Sequence, residues 1–172
     1  MINLGNLFKT LGCIFILVSS VGIGFSMSKE LEKHLDELEK IKHIFSLMRS
    51  EMQYSRVPFA EVFEKIGIKM NGIYGNWLCK LSTKLEEKEG GTFEEQWSQS
   101  IDEMLKQSAL KKDEKNELKS MGKNLEYIES LDIYIEQLEY SIKQTRESNQ
   151  SKKKICKSMS ITGGMFLVIL LI

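Results

Sequence analysis

The chain has 172 residues, with 24 basic and 24 acidic side chains and a formal net charge of zero. This balance argues against a nucleic-acid-binding protein, which normally carries a basic face, and three cysteines provide no disulfide framework. The charges are unevenly distributed, because no Asp or Glu occurs before Glu30 or after Glu147. Both ends of the chain are therefore apolar, and the middle is charged.

The first predicted element is a membrane-spanning helix within residues 1–27. Residues 11–27 contain no ionisable side chain except the thiol of Cys13, and the apolar residues before them extend the segment to the roughly 20 that a span needs. A secretory signal peptide is the alternative, although no clear small-residue cleavage site follows the segment. We interpret it as an N-terminal membrane anchor.

The middle region, residues 28–157, is predicted to be an all-α domain. Its apolar residues recur every three or four positions, and no stretch alternates with the period of a strand. The first such stripe consists of Leu31, Leu35, Leu38, Ile41, Phe45, Met48 and Met52. No breaker separates this helix from the N-terminal anchor, so we expect one continuous helix that ends before Pro58.

Local signals divide the rest of the middle region into further helices. Pro58 suits the first turn of a second helix, and Asn71-Gly72 is a turn signal before a third, which ends before Gly90-Gly91. Thr92 and Glu95 form a capping-box pattern at the start of a fourth. Two more helices have apolar positions at Leu118, Met121, Leu125, Ile128, Leu131, Ile135, Leu138 and Ile142. The expected fold is a six-helix bundle flanked by N- and C-terminal transmembrane helices.

The last segment, residues 158–172, contains no ionisable side chain and is predicted to be a second span. It is short unless the helix includes Ile155 and Cys156, so an interfacial or re-entrant helix is the alternative. Gly163-Gly164 fits a membrane helix in which small residues let neighbouring helices approach. Lysines beside the spans in the middle region outnumber Lys9 on the other side, which predicts a cytoplasmic middle domain.

No constellation of residues for catalysis or cofactor binding is visible. His34 and His43 have no second ligand cluster, so we interpret both as solvent-facing and expect no metal. Neither a P-loop nor a Gly-x-Ser-x-Gly element occurs, and Trp77 and Trp97 are interpreted as core aromatics. We expect a non-enzymatic protein with no cofactor, no small-molecule substrate and no nucleic-acid partner.

The order of several motifs resembles the stage III sporulation protein AB family. Residues 47–60, LMRSEMQYSRVPFA, resemble that family's helix ending in a Glu-hydrophobic-x-Tyr element, followed by a short polar link, Pro and a large apolar residue. Three further features agree in order: Leu11-Gly12 with Gly24-Phe25, Thr92 with Trp97, and Gly163-Gly164. Leu125-Glu126 stands where the family tends to have Leu-Gly, which suggests that the last two helices are joined more continuously here.

The resemblance implies a component of the channel between mother cell and forespore in endospore-forming bacteria. The family is similar to the inner-membrane platform proteins of type II secretion and type IV pilus machines. The implied location is the mother-cell membrane around the forespore, and the implied partners are a sporulation secretion ATPase, other channel subunits, the lipid bilayer and further copies of the chain. A generic membrane-anchored scaffold in envelope or division organisation, and an extracellular sensory bundle of opposite topology, are the alternatives.

The candidate partner-binding residues are Glu51, Tyr54, Arg56 and Pro58, at one predicted helix–helix corner. In a structural interpretation, Pro58 starts a helix while Tyr54 packs its ring and hydrogen-bonds its hydroxyl. In a functional interpretation, Glu51 and Arg56 face a partner such as the ATPase. The sequence leaves both interpretations open.

Overall fold

The computed structural model describes the chain except for residues 1–3, 55–56, 88–90, 107, 126 and 172, and it leaves out further side chains within the helices near both ends. Within the described residues the chain forms six α-helices and no strand, which confirms the all-helical prediction. The helices are α1 (Leu4–Tyr54), α2 (Phe59–Lys69), α3 (Gly72–Glu86), α4 (Phe93–Met104), α5 (Lys112–Met121) and α6 (Ile128–Leu171).

Local chemistry sets the helix ends. Pro58 is the N-cap of α2, one position before the predicted first turn, and its carbonyl accepts the first backbone hydrogen bond of that helix at 3.2 Å. Gly72 has a φ of +77°, a left-handed conformation that favours glycine, so the predicted turn before α3 is confirmed. Thr92 and Glu95 form the predicted capping box: Thr92 N donates to the Glu95 carboxylate at 2.9 Å, and Glu95 N donates to Thr92 Oγ1 at 3.3 Å.

The two longest helices differ in how well their ends were predicted. α1 is continuous over 51 residues, as the absence of a breaker predicts. The expected continuous junction before α6 is wrong, because α5 ends at Met121 and the residues after it form turns with bonds such as Asn124 N to Met121 O. Leu125 lies in these turns and is fully buried, and burial of its apolar side chain favours the break. Glu126 lies outside the described residues.

The chain divides into two compact units. Unit 1 consists of Met1–Leu35 and Lys143–Ile172, and unit 2 consists of Asp36–Ile142. The predicted boundaries, between residues 27 and 28 and between 157 and 158, lie where the charged middle region meets the apolar ends. The two units are instead defined by their internal packing. The predicted domain boundaries remain a prediction.

Unit 2 has a core rich in aromatic rings. Its largest fully buried side chains are Trp77, Trp97, Tyr74, Phe45, Phe63, Leu38, Ile41, Ile44, Met48, Ile66, Leu78 and Leu81. The ring centroids of Phe45 and Tyr134 lie 4.7 Å apart, edge to face, and those of Trp77 and Trp97 lie 5.2 Å apart. Each such pair adds about 0.5–1.5 kcal/mol beyond area burial. The interpretation of both tryptophans as core residues is confirmed.

Hydrogen bonds connect the polar groups of this core. Trp77 Nε1 donates to Ser100 Oγ at 2.9 Å, and Ser100 Oγ donates to the carbonyl of Trp97 at 2.7 Å. Trp97 Nε1 donates to the carbonyl of Leu118 at 2.8 Å. Both indole N–H groups therefore have partners, which fixes α4 between α3 and α5.

Two glycines allow α2 and α3 to pack closely. A Cβ added to Gly75 would overlap the carbonyl oxygen of Met70, and one added to Gly67 would lie 2.6 Å from Cys79 Sγ. Because backbone atoms cannot move aside as a flexible side chain can, Gly75 is the stricter requirement.

Unit 1 pairs the first part of α1 with the last part of α6. Three contacts set an antiparallel register: Asn149 Nδ2 donates to Leu31 O at 2.9 Å, Lys153 Nζ pairs with Glu32 at 2.6 Å, and Cys156 Sγ donates to Met27 Sδ at 3.6 Å. Gly163 has no atom within 4 Å of an added Cβ, so the expected close helix approach does not occur there within the described chain. The surroundings of Gly164 lie outside the described part of the structure.

Among the described residues, none of the helices combines the length and the apolar character that a membrane span requires. The predicted spans, residues 1–27 and 158–172, therefore lack support from the structure.

Candidate partner-binding surface

The structure places three of the four predicted site residues at the corner between α1 and α2. Glu51 is in the last turn of α1, Tyr54 is its last residue, and Pro58 caps α2. Arg56 lies outside the described residues. The corner itself was therefore correctly anticipated.

The ring of Tyr54 does not pack into the core. It is 84% exposed, so the structural interpretation of this residue is wrong. The buried stripe of α1 passes through Phe45 and Met48, and Tyr54 lies off its three- and four-residue steps. An exposed aromatic ring at a helix end is available for contact with another molecule.

Two ion pairs involve the last turn of α1 and the helix α2. Glu51 pairs with Lys69 of α2 at 3.5 Å, and Lys65 pairs with Glu61 at 2.8 Å. The hydrogen bond to Glu61 raises the pKa of Lys65, and the charges of Glu61 and Glu51 act in the same direction. Exposed pairs of this kind contribute little to stability. They give the corner both signs of charge.

One exposed aliphatic side chain was missed by sequence reasoning. Ile68 of α2 is 73% exposed, although isoleucine is usually buried. The signal was present, because Ile68 lies off the apolar stripe of α2 that ends at Ile66. Ile68 precedes Lys69, which pairs with Glu51, and we use the name corner surface for Glu51, Tyr54, Pro58, Ile68 and Lys69.

A second exposed face lies on α6. Ile133 and Tyr140 are exposed and seven residues apart, which puts them on one side of the helix. The flanks of α6 are held to α1 by ion pairs from Arg49 to Asp132 and from Lys42 to Glu139. Sequence reasoning missed this face because it followed only the buried stripe.

A buried carboxylate lies deeper in unit 2. Glu37 is 3% exposed and accepts hydrogen bonds from Tyr74 Oη at 3.2 Å and from the backbone N of Ala109 at 2.5 Å. Burial, followed by the charge of Glu37, raises the pKa of Tyr74 well above its usual value. No pattern distinguishes Glu37 from its neighbours in a charge-rich helix, so sequence reasoning could not identify it.

The histidines do not both face solvent. His34 is buried, which corrects its interpretation, whereas His43 is exposed as expected. Among the residues described, no group of three or more His, Cys, Asp or Glu side chains could hold a metal ion. The features that remain for recognition in unit 2 are exposed surfaces.

These features define an all-α helical-bundle protein with exposed surfaces suited to contact. A sequence profile of the stage III sporulation protein AB family matches residues 9–172, and the chain belongs to this family, as its motifs predicted. It is 22% identical over 169 residues to stage III sporulation protein AB of Bacillus subtilis (strain 168), an alignment that covers 95% of this chain and 98% of that protein. No solved structure matches the chain. Membership of this family supports a role in sporulation.

Proposed function

We propose that this chain is a non-enzymatic platform subunit of a secretion-like channel between mother cell and forespore. In this role it couples a secretion ATPase to membrane components during endospore formation. Family membership supports the sporulation part of the proposal. The observation that carries the rest is the exposure of large apolar side chains in unit 1, whereas unit 2 has a buried core of its own.

We propose that the bilayer surrounds the exposed apolar side chains of unit 1. Those exposed are Phe15, Val18, Phe25, Met27, Ile155, Met159, Ile161, Met165, Phe166 and Ile169. A patch of this extent facing water marks an interaction site or an aggregation hazard. The mother-cell membrane around the forespore would hold the chain by both ends, as a two-pass protein. The lysines beside these segments favour a cytoplasmic middle region.

The polar groups of unit 2 support a structural rather than catalytic role. Ser100 and both core indoles are engaged in hydrogen bonds that hold helices together, and Glu37 binds Tyr74 and Ala109 in the same way. Such groups stabilise a rigid bundle that can bear load. The corner surface is the proposed contact with the ATPase.

Co-purification tests the ATPase contact. Tagged full-length chain would be isolated from detergent-solubilised sporulating cells, and we expect the ATPase and channel subunits to accompany it. Tyr54→Ala and Glu51→Lys should reduce capture strongly. Tyr127→Ala, at another exposed tyrosine, is the matched control and should not. Capture of neither the ATPase nor any channel subunit by the unaltered chain would overturn the proposal.

Cysteine labelling tests the topology. The test uses a Tyr127→Cys variant of a chain whose own three cysteines are replaced. This variant should react with a membrane-impermeant maleimide only after the cells are permeabilised. Labelling in intact cells would support an extracellular sensory bundle instead. The cysteine-free chain provides the background.

Deletion separates the proposal from a generic envelope scaffold. We expect engulfed forespores to collapse when the gene is deleted, because the channel would no longer connect them to the mother cell. A scaffold for growth or division would instead be expressed in growing cells, and its deletion would leave sporulation intact.

A further inference from the structure

Unit 1 contains an open groove between α1 and α6 with a volume of about 370 Å³. Sites for small ligands commonly have volumes of about 300–1,000 Å³. The antiparallel register described above puts the Glu32–Lys153 pair at one end of the groove and Ile161 at the other, with Ser28, Lys157, Phe25 and Ser160 between them. The groove is therefore graded in polarity along the helices.

Two lysines line the groove, and they differ in whether an acidic side chain pairs with them. Lys153 Nζ is neutralised by Glu32 at 2.6 Å. Lys157, one helical turn further along α6, also lines the groove but has no ion-pair partner among the described residues. The groove therefore presents an uncompensated positive charge beside a fixed ion pair.

Two hydroxyl groups accompany this charge. Ser28 of α1 and Ser160 of α6 line the groove together with Lys157, from opposite walls. An ammonium group with a flanking hydroxyl donor, such as that of Ser160, is a set that recognises phosphate oxygens through charge-assisted hydrogen bonds.

The far end of the groove is apolar and faces outward. Phe25 and Ile161 line it, and both are more than half exposed. Lys29 Nζ lies 4.8 Å from the centroid of the Phe25 ring, which puts a second cation beside this end. Beyond Phe25 and Ile161, both helices continue into the exposed apolar side chains of unit 1.

We propose that this groove binds an anionic phospholipid, with the phosphate against Lys157 and Ser160 and the acyl chains along Phe25 and Ile161. The inference rests on the proposed placement of these helix ends in the bilayer, and it adds a specific lipid site to that placement. The graded lining favours a lipid over a free phosphate ester, because a water-soluble ligand would leave the apolar end unused. A general attraction of Lys152, Lys153 and Lys154 to negative lipid would need no apolar end. The gradient in polarity therefore distinguishes the proposed site from such an attraction.

The full-length chain in neutral detergent would be titrated with short-chain phosphatidylglycerol and, separately, with phosphatidylcholine of equal chain length. We expect phosphatidylglycerol to bind about tenfold more tightly or better, because the choline cation of phosphatidylcholine neutralises the phosphate charge and is repelled by Lys157. Lys157→Gln should remove this preference, and Lys157→Arg should retain it. Lys152→Gln, in the same basic run but outside the groove, is the matched control and should change affinity less than about threefold.

A second variant tests the groove without altering its charge. Ser160→Phe fills the middle of the groove and should also abolish the preference for phosphatidylglycerol, while circular dichroism checks that the helices are retained. Equal losses with Lys152→Gln and Lys157→Gln would overturn the proposal in favour of general attraction. Competition by glycerol phosphate as effective as that by the lipid would overturn it in favour of a soluble phosphate site.

The outcome for the lipid site can be separated from the outcome for the proposed function. Carbonate extraction of membranes measures anchoring, and both the unaltered chain and Lys157→Gln should stay in the membrane fraction. If the unaltered chain is extracted, the membrane placement fails. If it is retained but shows no lipid preference, only the lipid site fails.

Discussion

Tyr74 donates a hydrogen bond from its hydroxyl to the carboxylate of Glu37 at 3.2 Å, and both side chains are buried. The carboxylate also accepts from the backbone N of Ala109, so α1, α3 and the chain before α5 meet at one point. A buried carboxylate without partners is costly. These three segments of unit 2 are therefore held in one arrangement.

Loss of the Tyr74 hydroxyl should weaken this junction. We expect Tyr74→Phe to lower the free energy of unfolding by about 1–3 kcal/mol, because Glu37 stays buried with one donor fewer. Urea unfolding of the full-length chain in detergent, followed by the fluorescence of Trp77 and Trp97, measures this change. Tyr127→Phe, at an exposed position, should be neutral. If Tyr74→Phe changes the free energy of unfolding as little as Tyr127→Phe does, the hydrogen bond to Glu37 contributes no net stability.

Stability should fall at alkaline pH because of the buried tyrosines. Burial raises the pKa of Tyr134 well above its usual value near 10. Above pH 10 the unfolded chain loses this proton while the folded chain keeps it, so the stabilisation present below pH 10 is lost as the pH rises. The loss is about 1.4 kcal/mol per pH unit for each such group.

Tyr134→Phe isolates this effect. The variant should unfold with a shallower pH dependence between pH 10 and 11 than the unaltered chain, as measured by urea unfolding at a series of pH values. Tyr54→Phe, at a ring that is 84% exposed, should keep the original slope. Equal slopes for Tyr134→Phe and the unaltered chain would contradict the assignment.

Close packing between α2 and α3 should make Gly75 intolerant of a side chain. Gly75→Ala is expected to lower the free energy of unfolding by about 1–3 kcal/mol, because its Cβ meets the backbone of Met70. Gly163→Ala is the matched control, since nothing lies within 4 Å of its added Cβ, and it should be neutral or stabilise by up to about 1 kcal/mol. Comparable losses of unfolding free energy with Gly75→Ala and Gly163→Ala would contradict a specific close contact at Gly75.

The ion pair between Glu51 and Lys69 should matter for contact more than for stability. Lys69→Glu replaces an attraction with a repulsion at an exposed site, and we expect a change in unfolding free energy below about 1 kcal/mol. Capture of the ATPase should nevertheless fall, because the charge pattern of the corner surface changes. A folded Lys69→Glu variant that captures the ATPase normally would exclude this pair from the interface.

The sequence by itself determined the helices and many of their ends, because Pro58, Gly72 and the Thr92 capping box act through neighbouring atoms. It also determined the middle of the buried stripe of α1, from Leu38 to Met48, because apolar spacing reports which face is covered. Only the tertiary structure decided that Glu37 is buried and that a break precedes α6. Those outcomes depend on residues distant in the chain, such as Tyr74 meeting Glu37, and local periodicity contains no information about which helix covers which.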